Sequence, residues 1–211
     1  MTSDEIAGFS KPPRVYSCED VLGRSAPVPA QGGVYGWRFR RLPALVVADG
    51  CCQHEALRLA YVGISPGRPP GNGRPPSSQG LRDRIKYRYT GNAESSTLRN
   101  TLGCVLADDL GLQLRRVGSG NRMTFAEGEL ALSAWMAQNA YVSWVVRDRP
   151  WELKKELIVA LDLPLNMQGN PRNRFHSVRR VRARCVAQAR ALPVVPNPGS
   201  GAGRRGRTSA R

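Results

Sequence analysis

The features that would place a chain in a membrane are missing from this sequence. No stretch of the 211 residues approaches the roughly 18 apolar residues that a membrane-spanning helix needs. The first ten residues include Asp4 and Glu5, whereas a secretory leader is basic and then apolar. We therefore expect a soluble, cytoplasmic protein.

Cysteine is present, but without the spacing of a metal site. The five cysteines are odd in number and contain no CxxC pair, the spacing that lets two thiolates share one zinc ion. Cys51, Cys52 and His54 form the nearest cluster, but adjacent cysteines seldom chelate one ion well. We expect reduced thiols and no zinc.

Acidic residues are scarce, and none follows Asp162. The chain has 32 Lys and Arg residues against 16 Asp and Glu residues, and eleven of the arginines lie in residues 172–211. This excess of positive charge favours a polyanionic partner, because each phosphate that it neutralises releases counterions. The alternative is a solvated basic tail with no specific partner.

Length and composition predict one folded domain with extensions, since 211 residues of which 41% are hydrophobic can bury one core. Residues 1–30 contain four prolines and predict an N-terminal arm. Residues 31–170 predict the domain, residues 171–192 a basic helix, and residues 193–211 a disordered basic tail.

The apolar pattern predicts a mixed α/β fold of the α+β type, with a small, mostly antiparallel sheet flanked by helices. Two β-rich runs, residues 33–47 and 57–64, predict an antiparallel pair, and the five prolines and four glycines of residues 65–80 predict a long loop. Further helices are predicted over 81–89, 97–110, 124–140, 150–161 and 175–191, and strands over 112–117 and 141–146.

The predicted helix over 124–140 depends on a capping box formed by Thr124 and Glu127. Helical spacing from that start places Leu130, Ala134 and Met136 on the inward face.

Two tripeptides, Gly33-Val34-Tyr35 and Tyr61-Val62-Gly63, lie in the predicted strand pair. They resemble the tripeptides that name the GIY-YIG nuclease family, with valine in place of each isoleucine. A helix with Arg84 and a late helix followed by Pro-Leu-Asn166 occur in the same order, and the resemblance covers about two thirds of the chain, residues 32–170. The sequence is similar to uncharacterised bacterial members of the family. The resemblance implies a GIY-YIG endonuclease fold.

A nuclease needs a base for water, a cation beside the phosphate, and stabilisation of the leaving oxygen. The resemblance implies that Tyr35 is the base. A phenol with a pKa of about 10 serves only where positive charge or metal-bound water favours its ionised form. Arg84 would supply charge and hold the phosphate, Tyr61 would orient water or phosphate, and Asn166 is a further candidate.

The resemblance also implies one Mg²⁺ or Mn²⁺ ion held by a glutamate on the late helix. At the expected position this chain has Lys154, with Glu152 and Glu156 two residues to either side. Neither shares a helical face with position 154, so either would need a shift of register. Glu156 is slightly favoured over Glu152.

A second departure is Arg88, one turn after Arg84, where many members have histidine. Arginine holds phosphate but is no base, so proton transfer would depend on Tyr35. Arg82 is a competing arginine, although the i, i+4 spacing favours Arg84 with Arg88.

Each candidate also has a purely structural explanation. The two tyrosines could pack across a hairpin, the two arginines could form a solvated helix face, and Asn166 could form a turn. The function expected is a metal-dependent DNA endonuclease that uses no small-molecule cofactor. The alternatives are a nucleic-acid-binding protein on a nuclease fold that has lost its activity, and a basic protein that binds structured RNA.

Overall fold

A computed structural model describes residues 3–69, 71–72, 77–170 and 176–197. The elements run in the order α1 (Ser3–Ser10), α2 (Cys18–Leu22), β1 (Gly33–Phe39), β2 (Gln53–His54), β3 (Leu57–Ser65), α3 (Leu81–Thr90), α4 (Thr97–Val105), α5 (Ala107–Leu110), β4 (Arg115–Val117), β5 (Arg122–Thr124), a 3₁₀ turn (Ala126–Gly128), α6 (Glu129–Asn139), β6 (Ala140–Val146), α7 (Pro150–Ala160) and α8 (His176–Ala191). This succession confirms the predicted α+β class.

The central sheet has four antiparallel strands in the order β2-β3-β1-β6. Every residue of the central strand β1 is buried. Successive side chains of a strand point to opposite faces, so Tyr35 packs into the larger core beside α3, α4 and α6, while Val34 packs against α1 and α7. The predicted antiparallel pair is β1 with β3, and it is confirmed.

The N-terminal arm is built into the domain through Arg38. This side chain has no exposed surface and donates hydrogen bonds to the Phe9 carbonyl and to Ser143 Oγ, each at 2.6 Å. Phe9 in turn lies against Gly36, where a Cβ atom would stand 3.0 Å from the phenyl ring. The end of α1 is therefore held against the strand that carries Tyr35.

Helix α6 begins later than the capping box predicts. Thr124 Oγ accepts a hydrogen bond from the Ala126 amide at 3.1 Å and stabilises the 3₁₀ turn instead of the helix. The helix starts at Glu129, and the side chains that it buries are Leu132, Trp135 and Met136. Leu130, with 74% of its surface exposed, and Ala134 therefore point outward, contrary to the prediction, whereas Met136 is buried as predicted.

The predicted basic helix is α8, which packs on α4 with Val178, Cys185 and Ala189 buried. The sequence predicts that a disordered tail starts at residue 193. Residues 193–197 instead lie alongside β4, where the Val195 amide donates a hydrogen bond to the Arg116 carbonyl at 3.0 Å. The rest of that prediction, residues 198–211, lies outside the described residues. Over the described ranges, no helix combines the length and apolar character needed to cross a membrane.

Candidate active site

A cavity of about 660 Å³ opens at the end of the sheet where the two tripeptides pair. It is lined from β1 and β3 by Tyr35 and Tyr61, from α3 by Arg84 and Arg88, and from α7 by Lys154. Its charged lining residues are Arg68, Arg84, Arg88 and Lys154, and no aspartate or glutamate lines it in the part of the chain that the structure describes. The cavity is strongly cationic and suits an anion.

Tyr35 reaches this cavity because residue 63 has no side chain. The two residues lie opposite each other in the β1–β3 pair. A Cβ atom on Gly63 would stand 2.3 Å from Tyr35 Cζ and 2.4 Å from its phenolic oxygen. The ring therefore lies over the glycine backbone, which explains why the second tripeptide ends in glycine.

Arg84 and Arg88 lie one turn apart on α3 and both act on the Tyr35 phenol. Arg88 is buried, and its Nε donates a hydrogen bond to the Tyr35 oxygen at 3.4 Å. Burial by itself raises the pKa of Tyr35. The charges of Arg88 and Arg84 and the hydrogen bonds from both outweigh burial, and they lower the pKa below its ordinary value. The competing Arg82 instead donates to the Val28 carbonyl at 2.8 Å.

The second tyrosine has the opposite environment. Burial and the neighbouring Tyr35 charge raise the pKa of Tyr61 to about 12, although Arg88 and Arg84 act against them. Two titratable groups whose pKa values are driven apart can take different roles, one accepting a proton and the other keeping its own. Of this pair, the surroundings of Tyr35 favour the phenolate and those of Tyr61 favour the protonated phenol.

Asn166 lies beside the site and does not line the cavity. Its side-chain oxygen accepts from the Val62 amide at 2.7 Å, and its side-chain nitrogen donates to the Val62 carbonyl at 2.9 Å. These bonds join the turn after α7 to the strand that carries Tyr61. Asn166 therefore acts as a positioning residue through contacts with a distant strand, which differ from the local turn expected as its alternative explanation.

Helix α7 presents Lys154 and Trp151 to the cavity. Its rotation is fixed because Leu153 and Leu157 are buried against the sheet. Burial lowers the pKa of Lys154. The Tyr35 charge opposes this change, and the charges of Arg88 and Arg84 add to it.

The two predicted metal ligands lie on another side of α7. Glu152 and Glu156 line a separate cavity of about 600 Å³, together with Glu5 from the N-terminal arm. Glu152 also pairs with Arg149 at 2.6 Å. A rotation of the helix that brought either carboxylate to the tyrosines would expose its buried leucines. The structure therefore does not bring these glutamates to the site.

Comparison with known families identifies the arrangement. A family model described as the GIY-YIG catalytic domain matches residues 33–185, more than half of the chain. The chain belongs to the GIY-YIG family. No curated protein and no solved structure gives a significant match. The suspected resemblance is confirmed, and membership supports a nuclease-type function with a nucleic-acid substrate.

GIY-YIG nucleases generally depend on a divalent metal ion, which needs suitable ligands at the site. Mg²⁺ and Mn²⁺ prefer oxygen ligands, above all carboxylates. Within the described ranges no group of three or more His, Cys, Asp or Glu residues could hold a metal, and the charged groups that line the cavity are all cations. The residues at this GIY-YIG site do not fit a divalent cation.

Sequence reasoning missed two of the residues that line the site. Trp151 could have been found from helical spacing, since it lies three residues before Lys154 and shares its face. Arg68 comes from the long loop after β3, and its direction depends on the fold of that loop. No local pattern indicates it.

Proposed function

We propose that this GIY-YIG domain hydrolyses phosphodiester bonds of DNA in the cavity that holds Tyr35, Arg84 and Arg88. The observation that carries the proposal is the Tyr35 oxygen, which lies 3.4 Å from Arg88 Nε inside a cavity where every charged lining residue that the structure describes is cationic. A phenol whose pKa is lowered by two arginines is a base in contact with the groups that bind phosphate.

In the proposed reaction, Arg84 and Arg88 hold the scissile phosphate with their planar guanidinium groups. Ionised Tyr35 accepts a proton from water as the water oxygen bonds to phosphorus. The bond from phosphorus to the leaving oxygen breaks, and that oxygen takes a proton from solvent. Protonated Tyr61 donates a hydrogen bond to the phosphate or the water, and Tyr35 then returns its proton to solvent.

The path of the DNA backbone is suggested by a second cavity beside the first. Arg179 and Arg182 of α8 line it, and Thr97 and Gln168 line both cavities. Asn100 Oδ1 accepts a hydrogen bond from Arg182 at 2.7 Å, which orients this guanidinium group. We propose that the strand follows this route from the site to the basic helix.

The test is cleavage of supercoiled plasmid and of branched, single-stranded and RNA oligonucleotides, each with Mg²⁺, Mn²⁺ or EDTA. We expect DNA cleavage, and a loss of about 10²–10⁴ in rate for Tyr35→Phe, the usual contribution of a positioned base. Arg84→Ala should be comparably impaired, while Glu152→Gln and Glu156→Gln should keep wild-type rates. Full activity of Tyr35→Phe would refute the proposed base.

A second candidate is nucleic-acid binding without cleavage, which is favoured by the absence of carboxylates among the described residues that line the cavity. It predicts tight binding that weakens steeply with salt and no product under any metal condition. Preferential binding of RNA would instead favour a structured RNA as the partner.

A further inference from the structure

Lys154 is the cationic side chain that α7 contributes to the cavity. Lys154 is half-buried and lies on the face of α7 that lines the cavity, one turn after Trp151. The buried Leu153 and Leu157 fix this orientation. The ammonium group is therefore presented to the same space as the Tyr35 phenol and the two arginines of α3.

The charge balance of the cavity favours an anion and opposes a divalent cation. Four cationic side chains line it, and within the described ranges none of them forms an ion pair with a carboxylate. A divalent ion would meet repulsion from these charges without a carboxylate ligand. A phosphate group would neutralise them and accept their hydrogen bonds.

We propose that Lys154 supplies the positive charge beside the scissile phosphate that a divalent ion supplies in metal-dependent nucleases, so that this site binds a phosphate anion and works without metal. The inference rests on the proposed function, because it takes this cavity as the place of cleavage. Lys154 adds no bond-making step: its ammonium group stabilises the charge that develops on the phosphate oxygens.

Binding tests the inference independently of activity. Calorimetric titration of the full chain with inorganic phosphate and with Mn²⁺ should show phosphate binding and no Mn²⁺ binding. Lys154→Met should weaken phosphate binding about tenfold to a hundredfold, as expected for loss of a charged hydrogen bond, and Lys154→Arg should retain most of it. Lys155→Met is the matched control, because the neighbouring lysine is exposed and does not line the cavity.

A gain of function makes the test sharper. Lys154→Glu places a carboxylate beside the tyrosines, so this variant should bind Mn²⁺ and lose phosphate binding. Thermal unfolding of each variant without ligand separates these effects from misfolding. Mn²⁺ binding by the wild type that Lys154→Met leaves intact would overturn the inference, as would unchanged phosphate affinity in a folded Lys154→Met.

Cleavage assays separate this inference from the proposed function. Wild-type cleavage in EDTA that is lost in Lys154→Met and kept in Lys155→Met supports both. Cleavage that requires added metal overturns the inference and leaves the proposed nuclease intact. Phosphate binding that depends on Lys154, with no cleavage of any substrate, supports the metal-free anion site while the proposed nuclease fails.

Discussion

Replacing Gly63 with alanine adds one methyl group at the point where Tyr35 crosses the paired strand. The new Cβ atom would stand 2.3 Å from Tyr35 Cζ, 2.4 Å from the phenolic oxygen and 2.5 Å from Cε2. Carbon atoms in contact prefer separations of about 3.5–4.0 Å, so the rigid ring must move by about 1 Å or more. The β1–β3 ladder holds the backbone of Gly63, and the ring is what gives way.

Two measurable losses follow from that displacement. Forcing an extra methyl group into a filled core typically costs about 1–3 kcal/mol of stability, because neighbouring side chains leave their preferred positions. The 3.4 Å contact between the Tyr35 oxygen and Arg88 Nε would also be disturbed. A displacement of about 1 Å in a catalytic group can reduce the rate about a hundredfold, and we expect a loss of this size.

Urea unfolding and plasmid cleavage measure the two effects. Gly67→Ala is the matched control, because Gly67 lines the same cavity and a Cβ atom there would meet no atom of the described residues within 4 Å. The control should match the wild type in both assays. Wild-type stability and rate in Gly63→Ala would refute the close contact between ring and backbone, and equal losses in both variants would show that the effect is not specific to Tyr35.

Three further predictions follow from the same contacts. Asn166→Ala removes two hydrogen bonds from buried backbone and should cost about 2–4 kcal/mol in urea unfolding, so unchanged stability would contradict its positioning role. Cleavage should rise with pH through a midpoint below the ordinary phenol pKa of about 10, because the pKa of Tyr35 is lowered and the phenolate forms at lower pH. Arg88→Gln should move this rise, and the phenolate absorbance, to higher pH, and an unmoved profile would exclude Arg88 as the cause. Glu129→Gln leaves the buried Arg99 without the carboxylate it binds at 2.7 Å and should cost about 3–5 kcal/mol, which a small shift in thermal unfolding would disprove.

The strand pair could be predicted from the sequence because its signals are local. Apolar runs mark β1 and β3, and the tripeptides that hold Tyr35 and Tyr61 lie within those runs. Their antiparallel register then follows from short-range pairing. The bidentate contact of Asn166 with Val62 gives no such signal, because the two residues are 104 positions apart in the chain and meet only in the folded domain.

The start of α6 shows a local signal overridden by a tertiary contact. Thr124 and Glu127 have the spacing of a capping box, but Glu129 binds the buried Arg99 and also accepts from the Phe125 amide at 3.1 Å. A buried arginine without its carboxylate would cost more than a weaker cap. The ion pair therefore accounts for the later start of the helix, and the sequence pattern alone does not reveal it.

The helix that carries Lys154 could be predicted, but not the groups that face it. Pro150 and the buried Leu153 and Leu157 indicate a helix and its core face. Glu152 and Glu156 are each two residues from Lys154, so they lie on a different face of this helix. Which of these faces meets the tyrosines depends on how α7 packs on β1 and β3, a contact between distant parts of the chain.

The two departures from the GIY-YIG pattern, Arg88 and Lys154, are explained together by charge. Arg88 is a permanent cation in contact with Tyr35, so it lowers the phenol's pKa without the help of a metal ion. A divalent ion would then be repelled by the four cationic side chains that already line the cavity. A lysine at position 154 contributes a single charge on a flexible stem and needs no carboxylate ligand. On the proposed mechanism, Arg88 and Lys154 each supply part of the positive charge that a metal ion would supply. Arg88→His or Lys154→Glu alone should therefore restore less metal dependence than the two changes together.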